Sequence, residues 1–132
     1  MELDFKPHMG TDLLPFGTPR SEVRDVVLEG KRFVTRTSEP RNDFYVSDGL
    51  ILGYDDQDTL EFIEVFSPSK ATFDGIALTD KATKEVIGEF EKRGHQVPFD
   101  DGSYDFRELG IIFYCPEKRI ESSSIYREGY YD

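Results

Sequence analysis

Few side chains in this sequence stand at spacings that do chemistry, and each has a plain structural alternative. The carboxylates are the most numerous candidates: Asp55, Asp56 and Asp58 crowd into one short stretch, and Asp100-Asp101 makes a second group. Such oxygens can gather round a hard cation. The third ligand and the glycine of a calcium-binding loop are missing here, so turn formation and solubility account for them. Glu61 and Glu121 fall at matching places in two similar segments and are candidates for an acid–base pair. Each also sits between apolar residues, where an alternating, solvent-facing strand position explains it without chemistry. His8 lies in an N-terminal stretch that reads as mobile, and His95 follows a helix-ending glycine, the usual place of a solvated histidine. Cys115 precedes a proline in an apolar run with no base beside it, so a buried structural thiol is expected. No Walker loop, dinucleotide fingerprint, nucleophile elbow or His-Glu-x-x-His occurs. The expectation is a non-enzyme with no cofactor and no metal site.

Charge narrows the partners. Twenty-seven acidic residues against sixteen Lys and Arg give a net charge of −11. A field of that sign repels phosphate backbones and anionic lipid, whose binding depends on replacing counterions with cations. It also speeds encounter with a basic protein surface. Nucleic acid and membrane are therefore expected to be absent as partners, and a basic protein fits. No apolar run approaches the roughly 20 residues of a membrane helix. MELDFKPHMG has no secretory pattern, so a cytoplasmic location is expected. A hydrophobic content of 37% with 14% aromatic is enough for a core, which argues against disorder.

The elements that must position these residues are written twice. GLILGYDDQDTLEFIEVF (49–66) and LGIIFYCPEKRIESSSIY (109–126) align at an offset of sixty, with Tyr54 on Tyr114, Leu60 on Ile120 and Glu61 on Glu121. Upstream, LPFGTPRSEVRDVV lies over ALTDKATKEVIGEF, with Glu22-Val23 on Glu85-Val86, and the two copies close on Gly30 and Gly94. Thr18 as N-cap and Pro19 at the first helical position predict one helix. Its stripe is Val23, Val26 and Val27. Thr79 or Asp80 starts a second, with Ala82, Val86, Ile87 and Phe90 inward. Leu50–Tyr54 with Leu60–Phe66, and Leu109–Cys115 with Ile120–Arg127, predict antiparallel hairpins. Pro98–Gly102 reads as a loop and Ser103–Phe106 as a short strand. The predicted fold is one α+β domain over 1–132: a curved antiparallel sheet with two helices on one face, from a tandem helix–hairpin duplication (about 13–66 and 71–126). Tyr45, Tyr54, Phe113, Tyr114 and Tyr126 are the aromatics available to its open face.

Gly17, Thr18, Pro19, Glu22 and Val23, followed by Tyr54, Asp55, Leu60 and Ile63, form a pattern that resembles the helix–hairpin unit of the β-lactamase-inhibitor-protein-like group. The resemblance implies helices over an antiparallel sheet whose free face binds other proteins. In size, acidity and lack of catalytic motifs the chain is also similar to the small immunity proteins of bacterial toxin–immunity pairs. The functional expectation is thus an inhibitor-type protein that occludes a basic partner such as a toxin domain. Asp55, Asp56 and Asp58 would form its acidic rim, with Tyr54 and Tyr114 as anchors. The alternatives are a small-molecule-binding domain using the concavity between helices and sheet, or an interaction scaffold with no discrete site.

Overall fold

The computed structural model describes residues 1–98 and 102–131, so the Asp100-Asp101 pair and part of the Pro98–Gly102 loop lie outside the described residues. The described residues form eleven strands: β1 Glu2–Lys6, β2 Gly10–Thr11, β3 Val34–Arg36, β4 Glu39–Tyr45, β5 Leu50–Tyr54, β6 Leu60–Phe66, β7 Lys70–Phe73, β8 Ile76–Ala77, β9 Ser103–Phe106, β10 Ile111–Tyr114 and β11 Ser122–Tyr126. An antiparallel sheet runs β3-β4-β5-β6-β11-β10-β9, and a smaller one runs β2-β1-β7-β8 with β1 and β7 parallel. The expected two-helix α+β sheet is therefore corrected. About 41% of the chain is strand and 16% helical, in two sheets with two short helices.

The second sheet is built round the N-terminal stretch, which pairs as β1 and β2 with each other and, through β1, with β7. Glu-Leu-Asp-Phe-Lys alternates with period two, and Leu3 and Phe5 are buried while Glu2 and Lys6 are exposed. Strand β1 sits between β2 and β7 and lays those two side chains on the common core.

Helix α2 (Thr83–Lys92) buries Thr83, Val86, Ile87 and Phe90, the i, i+3, i+4, i+7 stripe of an amphipathic helix. It starts at Ala82, which caps nothing, rather than at Thr79 or Asp80, and Ala82 is exposed. Helix α1 is shorter than its sequence implies: one α turn, Arg20–Glu22, widens into a π turn at Val23–Val27. The wide turn is closed by Leu28 N–H donating to Val23 O (2.8 Å). Widening adds about a residue per turn, so Leu28 takes the buried place below Val23 and Val26 swings out to 68% exposure. The predicted burial of Val26 fails for that reason. The N-cap is Pro19, and the Thr18 hydroxyl instead donates to Pro15 O (2.6 Å).

Backbone contacts recur between the two helix–hairpin units. Arg20 N–H donates to Asp58 O (2.9 Å) and Thr83 N–H to Lys118 O (3.1 Å). Leu60 N–H donates to Thr18 O (3.0 Å) and Ile120 N–H to Lys81 O (2.9 Å). Each helix start is thus tied to the second strand of its own hairpin. At the far end, Phe66 N–H donates to Gly49 O and Tyr126 N–H to Gly110 O, both at 2.9 Å. Both glycines have positive φ, and a Cβ on either would collide with the very strand it bonds, at Phe66 O or Tyr126 O. The central pair β6–β11 sets Glu64 opposite Ser124, its counterpart at offset sixty, so a local two-fold passes through that pair.

Register changes which residues correspond. Leu50 pairs with Val65 while Ile111 pairs with Ile125, and Gly53 pairs with Phe62 while Tyr114 pairs with Ser122. The loop 55–59 is one residue longer than 116–119, so the offset is sixty-one before the loop and sixty after it. Tyr54 therefore corresponds to Cys115, and Tyr114 to Gly53. A one-residue slip exchanges the two faces of a strand, which puts Tyr54 in the core (1% exposed) and Tyr114 in solvent (51%). No helix among the described residues is long and apolar enough to cross a membrane.

Candidate functional site

Asp43 on β4 accepts five side-chain hydrogen bonds and is fully buried. The guanidinium of Arg20 reaches it through Nη2 (2.6 Å) and Nε (3.2 Å), and that of Arg24 through Nη2 and Nε (both 2.8 Å). Thr35 Oγ1 adds a fifth contact at 2.8 Å. Burial alone would push this carboxyl up; the donors from Arg24, Arg20 and Thr35 outweigh it and hold Asp43 at about 2. Arg20 also meets Asp58 (3.2 Å) and lies over the Tyr54 ring, while Arg24 covers Phe33. The hydroxyls of Tyr45 and Tyr54 are buried beside this cluster without a hydrogen-bond partner among the described residues. Burial, with Asp43 adding to it, drives Tyr45 up to about 12 and Tyr54 higher still. With every oxygen of Asp43 committed to cations, the cluster latches α1 to β3 and β4 and has no proton to exchange near neutral pH.

The hairpin tip behaves as structure more than as a rim. Asp55 accepts from Gln57 N–H (3.0 Å), Thr59 N–H (2.9 Å) and Thr59 Oγ1 (2.6 Å), which closes its loop. Partial burial opposes ionisation, but those bonds keep Asp55 below its ordinary value. Asp58 occupies the left-handed region (φ 57°) and pairs with Arg20. Asp56 is exposed. Of the two anchor tyrosines, Tyr54 is withdrawn, being enclosed in the core under Arg20; Tyr114 stands free on the sheet's outer face. Glu61 and Glu121 do not converge: Glu61 O accepts from Arg127 N–H, whereas Glu121 lies beyond the Ser122–Phe66 pair at the opposite end of β6–β11. Burial, with Asp55 contributing, raises Glu61.

The outer face of the seven-stranded sheet is the surface that sequence reasoning left unresolved. Across it run Ile51, Glu64, Ser124 and Ile112 in one row, and Gly53, Phe62 and Tyr126 in the next. Phe66, Ser122 and Tyr114 form a third. Ile51, Phe62, Phe66 and Ile112 remain partly exposed. Tyr130 stacks on Phe62 at 5.5 Å and Tyr131 meets Tyr126 edge-on at 4.9 Å, so the C-terminal tyrosines cover one end. Tyr126 donates to Asp105 (2.8 Å) beneath them. Tyr45 and Phe113, expected on this face, point into the core instead. The alternation Ile-Glu-Val-Phe after Phe62 was the available signal for this face. Arg20 and Arg24, four apart on one helix, were the signal for the cluster. Cys115 is buried, and His95 packs on Phe73 and Phe90. Among the described residues no three His, Cys, Asp or Glu side chains gather as metal ligands. Comparison with protein-family models, with curated proteins and with solved structures found no match.

Proposed function

We propose that the chain is a non-enzymatic protein-binding domain of the inhibitor or immunity type, and that a basic protein docks on the outer face of its seven-stranded sheet. The observation that carries the reading is the mixture on that face. Partly exposed Phe62, Phe66, Ile51 and Ile112 and the exposed Tyr114 alternate with Glu64 and lie beside Glu61. Aromatic anchors with acids between them suit a cationic partner, the apolar groups slowing dissociation and the charges speeding association. The net charge of −11 extends the same bias over longer range.

A photo-crosslinking amino acid at position 114 should form an adduct with a basic protein in cells that express both. With that partner purified, Tyr114→Ala should raise the dissociation rate, and Glu61→Gln with Glu64→Gln should lower the association rate and flatten its salt dependence. An unchanged rate pair in both variants overturns the reading, as does the absence of any adduct.

A further inference from the structure

The charge of the chain changes sign in one place. Residues 31–41 carry four cations, Lys31, Arg32, Arg36 and Arg41, against the single acid Glu39, a net +3. The other residues hold 12 cations and 26 acids, −14, and the two parts sum to −11. This stretch is the β3–β4 hairpin, and β3 is an edge of the seven-stranded sheet. It pairs with β4 on one side and with no strand among the described residues on the other. From Val34–Phe44 to Arg36–Glu39 the register advances two residues on β3 against five on β4, so the extra residues bulge from β4 and β3 is left continuous. Every residue of β3 is exposed. Its inner side is anchored, because Phe33 packs on Tyr45 and the Thr35 hydroxyl donates to Asp43. Its outer side is open: Val34 is 57% exposed, and Arg36 lies over Phe44 with Glu39 no nearer than 3.9 Å. Arg32, two residues before Val34, is exposed and has no carboxylate in ion-pair reach among the described residues.

We infer that the β3 edge is a docking site for an extended acidic segment of another protein, which adds to the sheet as a further strand. An edge presents backbone N–H and C=O groups at strand spacing, the template on which an extended peptide pairs. The side chains of Arg-Phe-Val-Thr-Arg (32–36) then set the specificity. Two cations stand four residues apart, about 13 Å at 3.3 Å per residue, with an exposed valine between them. The matching segment reads acid-x-apolar-x-acid. That pattern is the same in both directions, so it fits a parallel or an antiparallel strand. Charged side chains on an edge also serve to keep copies of a chain apart. In a chain of this sign acids serve that end; arginines with a valine between them do the reverse. A second copy brings −11 against −11, which opposes its approach. A nucleic acid has no amide groups in strand register to pair with the edge. The site lies at the side of the sheet away from β9 and β10, and it stands or falls independently of the basic partner proposed above.

The test titrates the full chain into a fluorescently labelled peptide with Glu-Thr-Val-Thr-Glu at its centre and reads anisotropy. Binding should be saturable and should weaken as salt rises, and a peptide with Lys in place of both Glu should not bind. Arg32→Ala with Arg36→Ala should weaken the acidic peptide about fivefold or more, the scale of two exposed ion pairs. Arg32→Glu with Arg36→Glu should reverse the preference, losing the acidic peptide and taking the basic one. Backbone pairing is tested on the unaltered chain with two peptides N-methylated at alternate residues, one in each phase. An added strand turns only one set of its N–H groups to the edge, so one of these peptides should bind and the other fail. Tyr114→Ala should leave peptide binding unchanged. The inference is overturned if the acidic peptide shows no saturable binding, or if both N-methylated peptides bind as the parent does. It is overturned equally if a single-stranded oligonucleotide of the same charge binds as tightly. Self-association in sedimentation that the charge reversal abolishes also overturns it, since the edge then belongs to a second copy.

Discussion

The two helix–hairpin units share a backbone and differ in what closes the space under the helix. The first closes it with charge, two arginines bidentate on one buried aspartate. The second leaves it to small and apolar side chains around a cavity. A buried ion cluster is a poor source of net stability, because desolvation offsets the attraction, yet removing one partner is severe. An apolar wall around a cavity tolerates change but leaves a polar atom, Thr83 Oγ1, without a partner among the described residues. Similar backbones can thus be made intolerant of substitution in one half and receptive in the other.

The sharpest way to break this contrast is Asp43→Ala, which strands two arginines under the first helix. It should cost about 3–5 kcal/mol in urea denaturation; a loss below about 1 kcal/mol would show that the cluster relaxes into solvent. Next comes the helix face. Val86→Asp should cost about 3 kcal/mol or more, because it buries an unpaired charge. Val26→Asp, on the out-turned residue of the π turn, should stay within about 0.5 kcal/mol. Equal effects would mean that α1 is an ordinary α-helix. Acid should also separate the units. Asp43 is held near 2 when folded against an ordinary 3.8, so its contribution is present above pH 4 and is lost as pH falls toward 2. About 2 kcal/mol should disappear over that window, and in Asp43→Asn this part of the acid dependence should be gone. At the hairpin tips the differences are smaller. Asp55→Ala should cost about 1 kcal/mol by removing the loop's acceptor, with Asp56→Ala within about 0.5 kcal/mol. At the second tip the sign reverses: Lys118→Gly should gain up to about 1 kcal/mol in urea denaturation, because Lys118 sits at φ 64° where glycine is unstrained.

Much of the seven-stranded sheet was readable in advance. Apolar runs flanking Asp55–Thr59 and Pro116–Arg119 predict both hairpins, and the stripe Val86, Ile87, Phe90 predicts the buried face of α2. What escaped was register and long-range pairing. The sixty-residue offset places Tyr54 over Tyr114 by identity, but the shorter second loop moves one of them to the other face. Type matching cannot see a one-residue deletion that backbone pairing makes plain. The π turn was hidden because its cause is tertiary: Val23 and Leu28 both find core places, and the backbone widens to let them. The alternation in Glu2–Lys6 was present and short; it becomes a strand only because β7 lies alongside to pair with it. The candidate site was least legible, since Asp43 reads as one loop acid among many until Arg20 and Arg24 close on it.

That pairing of β1 with β7 bears on how the chain reaches this state. Glu2 meets Lys70 and Asp4 meets Thr72, so β1 is bonded to residues that lie far along the chain from it. Closing so long a segment carries an entropic cost that local hairpins avoid. The pairings of β4, β5 and β6 with one another span far shorter segments. The core holds Leu3 and Phe5 only when β1 lies between β2 and β7.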